Sequence, residues 1–145
     1  MSKEKKMDFK IVTPEEVVFS QEVLEVNLPT AEGQITILPN HESLIGIIVP
    51  GEICIKTLDK SDLCFVAVSE GFLEIDDNLV RVFAQTASRA ENLDEQMIIK
   101  AKEEAQQALA DKKNLSKVAY TDATSQLQKE LIKLKVLKKH QKHKK

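Results

Sequence analysis

The chain has 145 residues, 42% of them hydrophobic and 30% charged, enough for one ordinary domain or two small pieces around a packed core. Its apolar runs, of which LIGIIV at 44–49 is typical, fall far short of the roughly 18 residues that span a bilayer. A soluble protein is expected, and any membrane association would have to go through another protein.

The net charge of −2 hides an asymmetry. Residues 129–145 carry Lys129, Lys133, Lys135, Lys138, Lys139, Lys142, Lys144 and Lys145 against Glu130 alone, a segment of +7 that leaves −9 on the rest. Such a tail suits nucleic acid, acidic lipid or acidic protein, and equally suits no partner at all, as a solvated end. At the other end, MSKEKKMDF is basic with no apolar stretch behind it and no Arg-rich, Ser-rich transit character. Residues 1–7 read as a flexible lead-in to a cytosolic, bacterial-type product.

Residues 8–87 read as short half-buried strands in an antiparallel β-sandwich. Phe9 and Ile11 alternate with Lys10 and Val12, and Leu24, Val26 and Leu28 with Glu25 and Asn27. Ile35 and Ile37, Ile53 and Ile55, Phe72, and then Val80, Val82 and Ala84 continue the inward set. Breakers separate them at Thr13-Pro14, Pro29, Pro39-Asn40, Pro50-Gly51, between Asp59 and Asp62, and at Asp76-Asp77-Asn78. Cys54 and Cys64 sit inside alternating apolar segments as small core residues of a reducing compartment.

The pattern changes near Ser88. All four glycines and all four prolines precede it, and helix formers take over through 88–145. Asn92 with Glu95 three residues on resembles a capping box, Asp94 adds favourable charge, and a first helix is predicted over 93–110. Its expected contact stripe is Leu93, Met97, Ala101, Ala105 and Ala108. Residues 111–114 form the connection, and a second helix starting between Ser116 and Thr121 carries Tyr120, Leu127, Leu131 and Leu134. Two such helices with a short link make an antiparallel hairpin. Alone it buries little, so it needs the sandwich or a partner to lean on.

Catalytic chemistry finds no support. His41, Glu42 and Ser43 are adjacent on one loop and point apart, no phosphate-cradling glycine motif occurs, and the three histidines lack metal spacing. The basic tail has no interleaved aromatic residues on which bases could stack. A nucleic-acid module using the tail and a free-standing adaptor remain as the other classes.

The stretch AEGQITILPNHESL at 31–44 resembles the signature of ATP synthase epsilon subunits, with Glu32 and Gly33 in the turn and Leu38, Pro39, Asn40 and His41 in the second half. Thr36 stands where the family usually has Gly, a change at one strand position that leaves the fold intact. Glu70, Gly71, Phe72, Leu73, Glu74 and Ile75 match a second family segment, with Glu70 in place of a Gly. The resemblance implies a non-catalytic rotor piece without cofactor or metal, held through its partners at the cytoplasmic face of a bacterial membrane. It further implies contacts to the gamma subunit and c-ring through Glu32, Gly33, Gln34, Asn40, His41, Glu42 and Ser43. The helical hairpin would restrain ATP hydrolysis by bringing Lys129, Lys133, Lys135, Lys138 and Lys139 to the catalytic beta subunit. Some relatives bind ATP through [IL]DxxRA on the first helix, but Met97 replaces that Arg and Ile98 the Ala, so no tight ATP site is expected.

Overall fold

The structure, a computed structural model, describes residues 5–59, 62–111 and 116–143. Nine strands come first: β1 (Met7–Val12), β2 (Val17–Thr30), β3 (Gly33–Ile37), β4 (Leu44–Ile48), β5 (Gly51–Thr57), β6 (Leu63–Val68), β7 (Gly71–Asp76), β8 (Leu79–Ala84) and β9 (Ala87–Arg89). A 3-10 turn (Ala90–Asn92), helix α1 (Glu95–Ala110) and helix α2 (Lys117–His143) follow. This is the sandwich followed by a two-helix hairpin that the change of composition foretold.

At 14 residues, β2 is long enough to serve both layers. Its first half pairs with β1, which continues to β8, β7 and β4. Its second half lies between β3 and β5, and β5 continues to β6 and β9. The β1–β8 pairing is parallel, whereas the other described pairings are antiparallel. Between the layers Phe9, Ile11, Val26, Ile53, Leu73 and Val82 are fully enclosed. Burying each such side chain contributes roughly 1.5–3 kcal/mol.

Register corrects two of the expected strand faces. Between Val23 and Glu25 the β2–β5 ladder is irregular, so Val23 and Val26 both point inward and Leu24 is only half-buried. In β7 the inward residues are Leu73 and Ile75, opposite Val82 and Val80, and Phe72 is therefore turned outward opposite Phe83. Strand parity leaves no other choice once Val80 and Val82 are in the core. The expectation that Phe72 belongs to the inward set therefore fails. Two-residue closure of β7–β8 uses Asp77 and Asn78 at φ 48° and 62°, the type I′ geometry that fits strand twist. Gly71 is obligatory for a different reason: a Cβ there would lie 1.9 Å from the Phe83 carbonyl oxygen.

The first helix starts two residues later than its capping box suggests. Leu93 is extended, Asn92 closes the 3-10 turn, and Asp94 is the N-cap, accepting from the amides of Gln96 at 3.0 Å and Met97 at 3.4 Å. The covered stripe is buried Ile98 and Ala105 with half-buried Ala101 and Leu109, while Met97 and Ala108 are exposed. On α2 the expected Leu127 and Leu134 are half-buried, but Tyr120 and Leu131 face solvent and Glu130 and Leu137 take their places in the stripe. The expected connection lies outside the described residues except for Asp111, which caps α1. A second side of α2, with Ile132 and Val136, packs on Phe65, Ala67 and Ala90, so the hairpin lies folded down on the sandwich.

Candidate functional site

The residues singled out in the sequence fall at two ends of one strand. Ala31 and Glu32 form the β2–β3 turn and Gly33 opens β3 with φ 115°, the Thr30 hydroxyl donating to the Gly33 carbonyl at 2.6 Å. Gln34 donates to Asn27, whose amide in turn donates to Thr36, so the family's missing Gly is replaced by an exposed hydrogen-bonding residue. At the far end of β3, Pro39 and Asn40 (φ 65°) turn the chain into the loop before β4. There the Asn40 amide donates to the Asn78 side chain at 2.8 Å, and Ser43 donates to Asp76 at 3.2 Å. His41 and Glu42 are exposed, the His41 ring sitting 2.8 Å from the Glu42 carbonyl. Five residues of strand separate the loops by about 16 Å, so they form two sites rather than one.

Between those ends lies an apolar surface that includes Phe72, which periodicity had placed inward. Ile47 pairs with Phe72 and Phe72 with Phe83, a cross-strand row on the outer face of β4, β7 and β8. Phe72 is 62% exposed, Ile47 58% and neighbouring Ile45 80%. The row borders an open groove of about 360 Å³ walled by Pro14, Gly71, Phe72 and Phe83. Beside it the Arg81–Glu74 ion pair at 3.1 Å marks a polar edge. The signal available in the sequence was LIGII, an apolar run too continuous for a strand with one wet face.

The five lysines do not form one face. At 3.6 residues per turn their spacing scatters them around α2. Lys129 and Lys133 line a cleft with Ser69, Thr86 and Ser88 of the sandwich, and Lys133 also pairs with buried Glu130 at 3.3 Å. Lys139 pairs with Glu52 on β5, and Lys135 and Lys138 are exposed. Lys144 and Lys145 lie outside the described residues. Cys54 is half-buried beneath α2, and burial, with Glu52 adding, pushes its thiol up against the opposing pull of Lys139. Burial likewise raises the Cys64 thiol, which Arg89 partly offsets. Among the described residues no cluster of His, Cys, Asp or Glu could hold a metal, and no helix is long and apolar enough to cross a membrane.

With the geometry in place, likeness to known proteins decides the family. The family described as ATP synthase, Delta/Epsilon chain, beta-sandwich domain matches residues 6–90. The ATP synthase epsilon chain of Nitratidesulfovibrio vulgaris is 38% identical over 133 residues, 92% of this chain and 96% of that one. The chain belongs to the ATP synthase epsilon family. The epsilon chain of Herminiimonas arsenicoxydans is 40% identical over 121 residues, covering 83% of this chain and 85% of the other. Epsilon chains are stalk subunits of the complex and not its catalytic ones. The fold also recurs in a chain of the Euglena gracilis mitochondrial ATP synthase assembly containing OSCP, F1 and c-ring, with TM-score 0.72, 18% identity, and 88% and 79% of the two chains covered. A chain of the Tetrahymena thermophila central stalk and c-ring shares it at TM-score 0.54 and 13% identity, over 94% and 99%.

Proposed function

We propose that this epsilon-family chain works as a rotor piece seated between the gamma shaft and the c-ring of a bacterial ATP synthase, on the cytoplasmic side and attached to the membrane through those partners alone. One observation carries this reading: the bare row of Ile47, Phe72 and Phe83, an apolar strip that a lone soluble subunit gains nothing by exposing. Loops at opposite ends of β3 suit a piece wedged between two partners, with Glu32, Gly33 and Gln34 meeting one and Asn40, His41, Glu42 and Ser43 the other. The assemblies that share the fold contain F1 with c-ring and central stalk with c-ring, which fits that placement.

Ile47→Asp combined with Phe72→Asp tests it. Both side chains are outside the core, so circular dichroism of the isolated subunit should match the parent, while co-purification of gamma and c-ring from detergent-solubilised membranes should be lost. A doubly charged variant that still brings down both partners would remove the apolar row from the interface.

The hairpin supplies the regulatory half of the reading. It is folded down here, and released along the shaft it would bring α2 lysines to an acidic segment of the catalytic beta subunit and restrain hydrolysis. A tight ATP site is not part of this reading, because Met97 is exposed on α1 and offers no donor to phosphate. Calorimetric titration of the isolated subunit with micromolar ATP should therefore be flat, and measurable heat at that range would count against it. Nothing favours the nucleic-acid reading, since three of the tail's lysines are already turned to carboxylates or the sandwich.

A further inference from the structure

The folded-down hairpin covers a carboxylate whose one ion-pair partner among the described residues is Lys139. Ile53 and Ile55 face the core, so Glu52, Cys54 and Lys56 project from the opposite face of β5, beneath α2. The Glu52 side chain is 14% exposed. Its Oε1 accepts from the Lys139 ammonium, while Oε2 is enclosed with no hydrogen-bond partner among the described residues. The other charges on this face do not relieve it. Glu25 is negative and stands opposite Lys56 across the β2–β5 ladder, Lys135 and Lys138 are exposed, and His143 lies against Phe65.

The two partners differ in what docking does to them. Lys139 keeps 46% of its side chain in solvent, so it loses little water when α2 comes down. Glu52 keeps only 14% of its side chain in solvent with α2 in place, and a buried carboxylate without its counter-ion is far more unfavourable than either the intact pair or a neutral replacement. We infer that Lys139 is the keystone of the folded-down state, and that once its charge is removed or drawn to an acidic partner, the uncompensated Glu52 carboxylate drives the hairpin off the sandwich. The same residue pair thus acts as a latch with Lys139 engaged and as a wedge without it. This requires only the docked hairpin, and it stands or falls separately from the rotor reading.

The test uses the full-length isolated subunit with Cys64→Ala, so that alkylation of Cys54 reports uncovering of this face. Lys139→Gln should speed labelling roughly tenfold, a buried-pair effect discounted for the half-exposed lysine. Glu52→Gln and the double variant should each stay within about twofold of the parent, because neither leaves a bare carboxylate. Loss of Lys139 by itself disfavours the Cys54 thiolate, so faster labelling there cannot be a direct charge effect. Loss of Glu52 favours the thiolate, and amide exchange over residues 132–140 supplies a reading free of that influence. Labelling and exchange at the parent rate in Lys139→Gln would overturn the inference. So would a double variant as open as Lys139→Gln, which would assign the effect to the lysine stem, or a Glu52→Gln variant just as open, which would make the pair a simple attraction.

Discussion

The sandwich has two outer faces, and each presents an apolar strip on a strand whose sequence is a nearly unbroken hydrophobic run. On one face β6, LCFVAV, is buried on both sides from Phe65 to Val68 because Ile132 and Val136 of α2 lie over it. On the other, β4, LIGII, buries Ile48 inward and leaves Ile45 and Ile47 in solvent. The two runs are chemically alike, and the difference is whether the covering element belongs to this chain. An apolar run without alternation therefore announces a second layer, and does not say which molecule provides it. In the proposed regulation the covered face is also the reversible one. Only a few side chains seal α2 to β6, each contributing roughly 1.5–3 kcal/mol against the entropy of ordering the hairpin. A competing partner could overturn a balance of that size.

The harshest way to break the contrast is to make both faces bare. The expected boundary at Ser88 falls inside β9, whose Ala87, Ser88 and Arg89 pair with Val68, Ala67 and Val66. Ala90 is itself buried against the covered face. We propose that the independent unit runs through the 3-10 turn, and that a chain ending at Asn92 keeps its β-type circular dichroism and still joins gamma. Stripped of α2, it should bind an apolar dye several-fold more strongly or self-associate, since Phe65 and Ala67 become a second exposed patch. An unfolded fragment would refute the domain division. Unchanged dye binding would mean that α2 covers less than its packing implies.

Much of this was legible in the residues themselves. The loss of Gly and Pro after Ser88 located the change from strands to helices, and the alternation around Phe9, Val26 and Val82 identified the core. What failed were matters of phase. The bulge at Leu24 and the outward turn of Phe72 rotate side chains without altering composition, and each is fixed by pairing with another strand, while the α1 cap falls at Asp94 rather than Asn92. The loop residues of the proposed interface could be named from their motif, but the apolar row between them needed the β4–β7–β8 register. Glu52 had no signal at all, because its significance arises only when Lys139, 87 residues later, lies over it.

The finest test of the contrast divides the lysines that the sequence had grouped together. Lys135 and Lys138 face solvent in the folded-down hairpin, so neutralising them leaves docking untouched, whereas Lys139 holds the covered carboxylate. In the assembled enzyme, Lys135→Gln with Lys138→Gln should weaken only the contact made by the extended hairpin. Exposed pairs contribute roughly 0.2–1 kcal/mol each, so ATP hydrolysis should rise about two- to threefold while synthesis is nearly unchanged. Under the proposed regulation Lys139→Gln should move hydrolysis the other way, because releasing the hairpin from the sandwich would populate the extended, restraining form. The opposite signs separate a charge that serves the partner from one that serves the covered face. If both variants raised hydrolysis together, the five lysines would act as one set on the beta subunit, and the pairing with Glu52 would have no hold on the equilibrium.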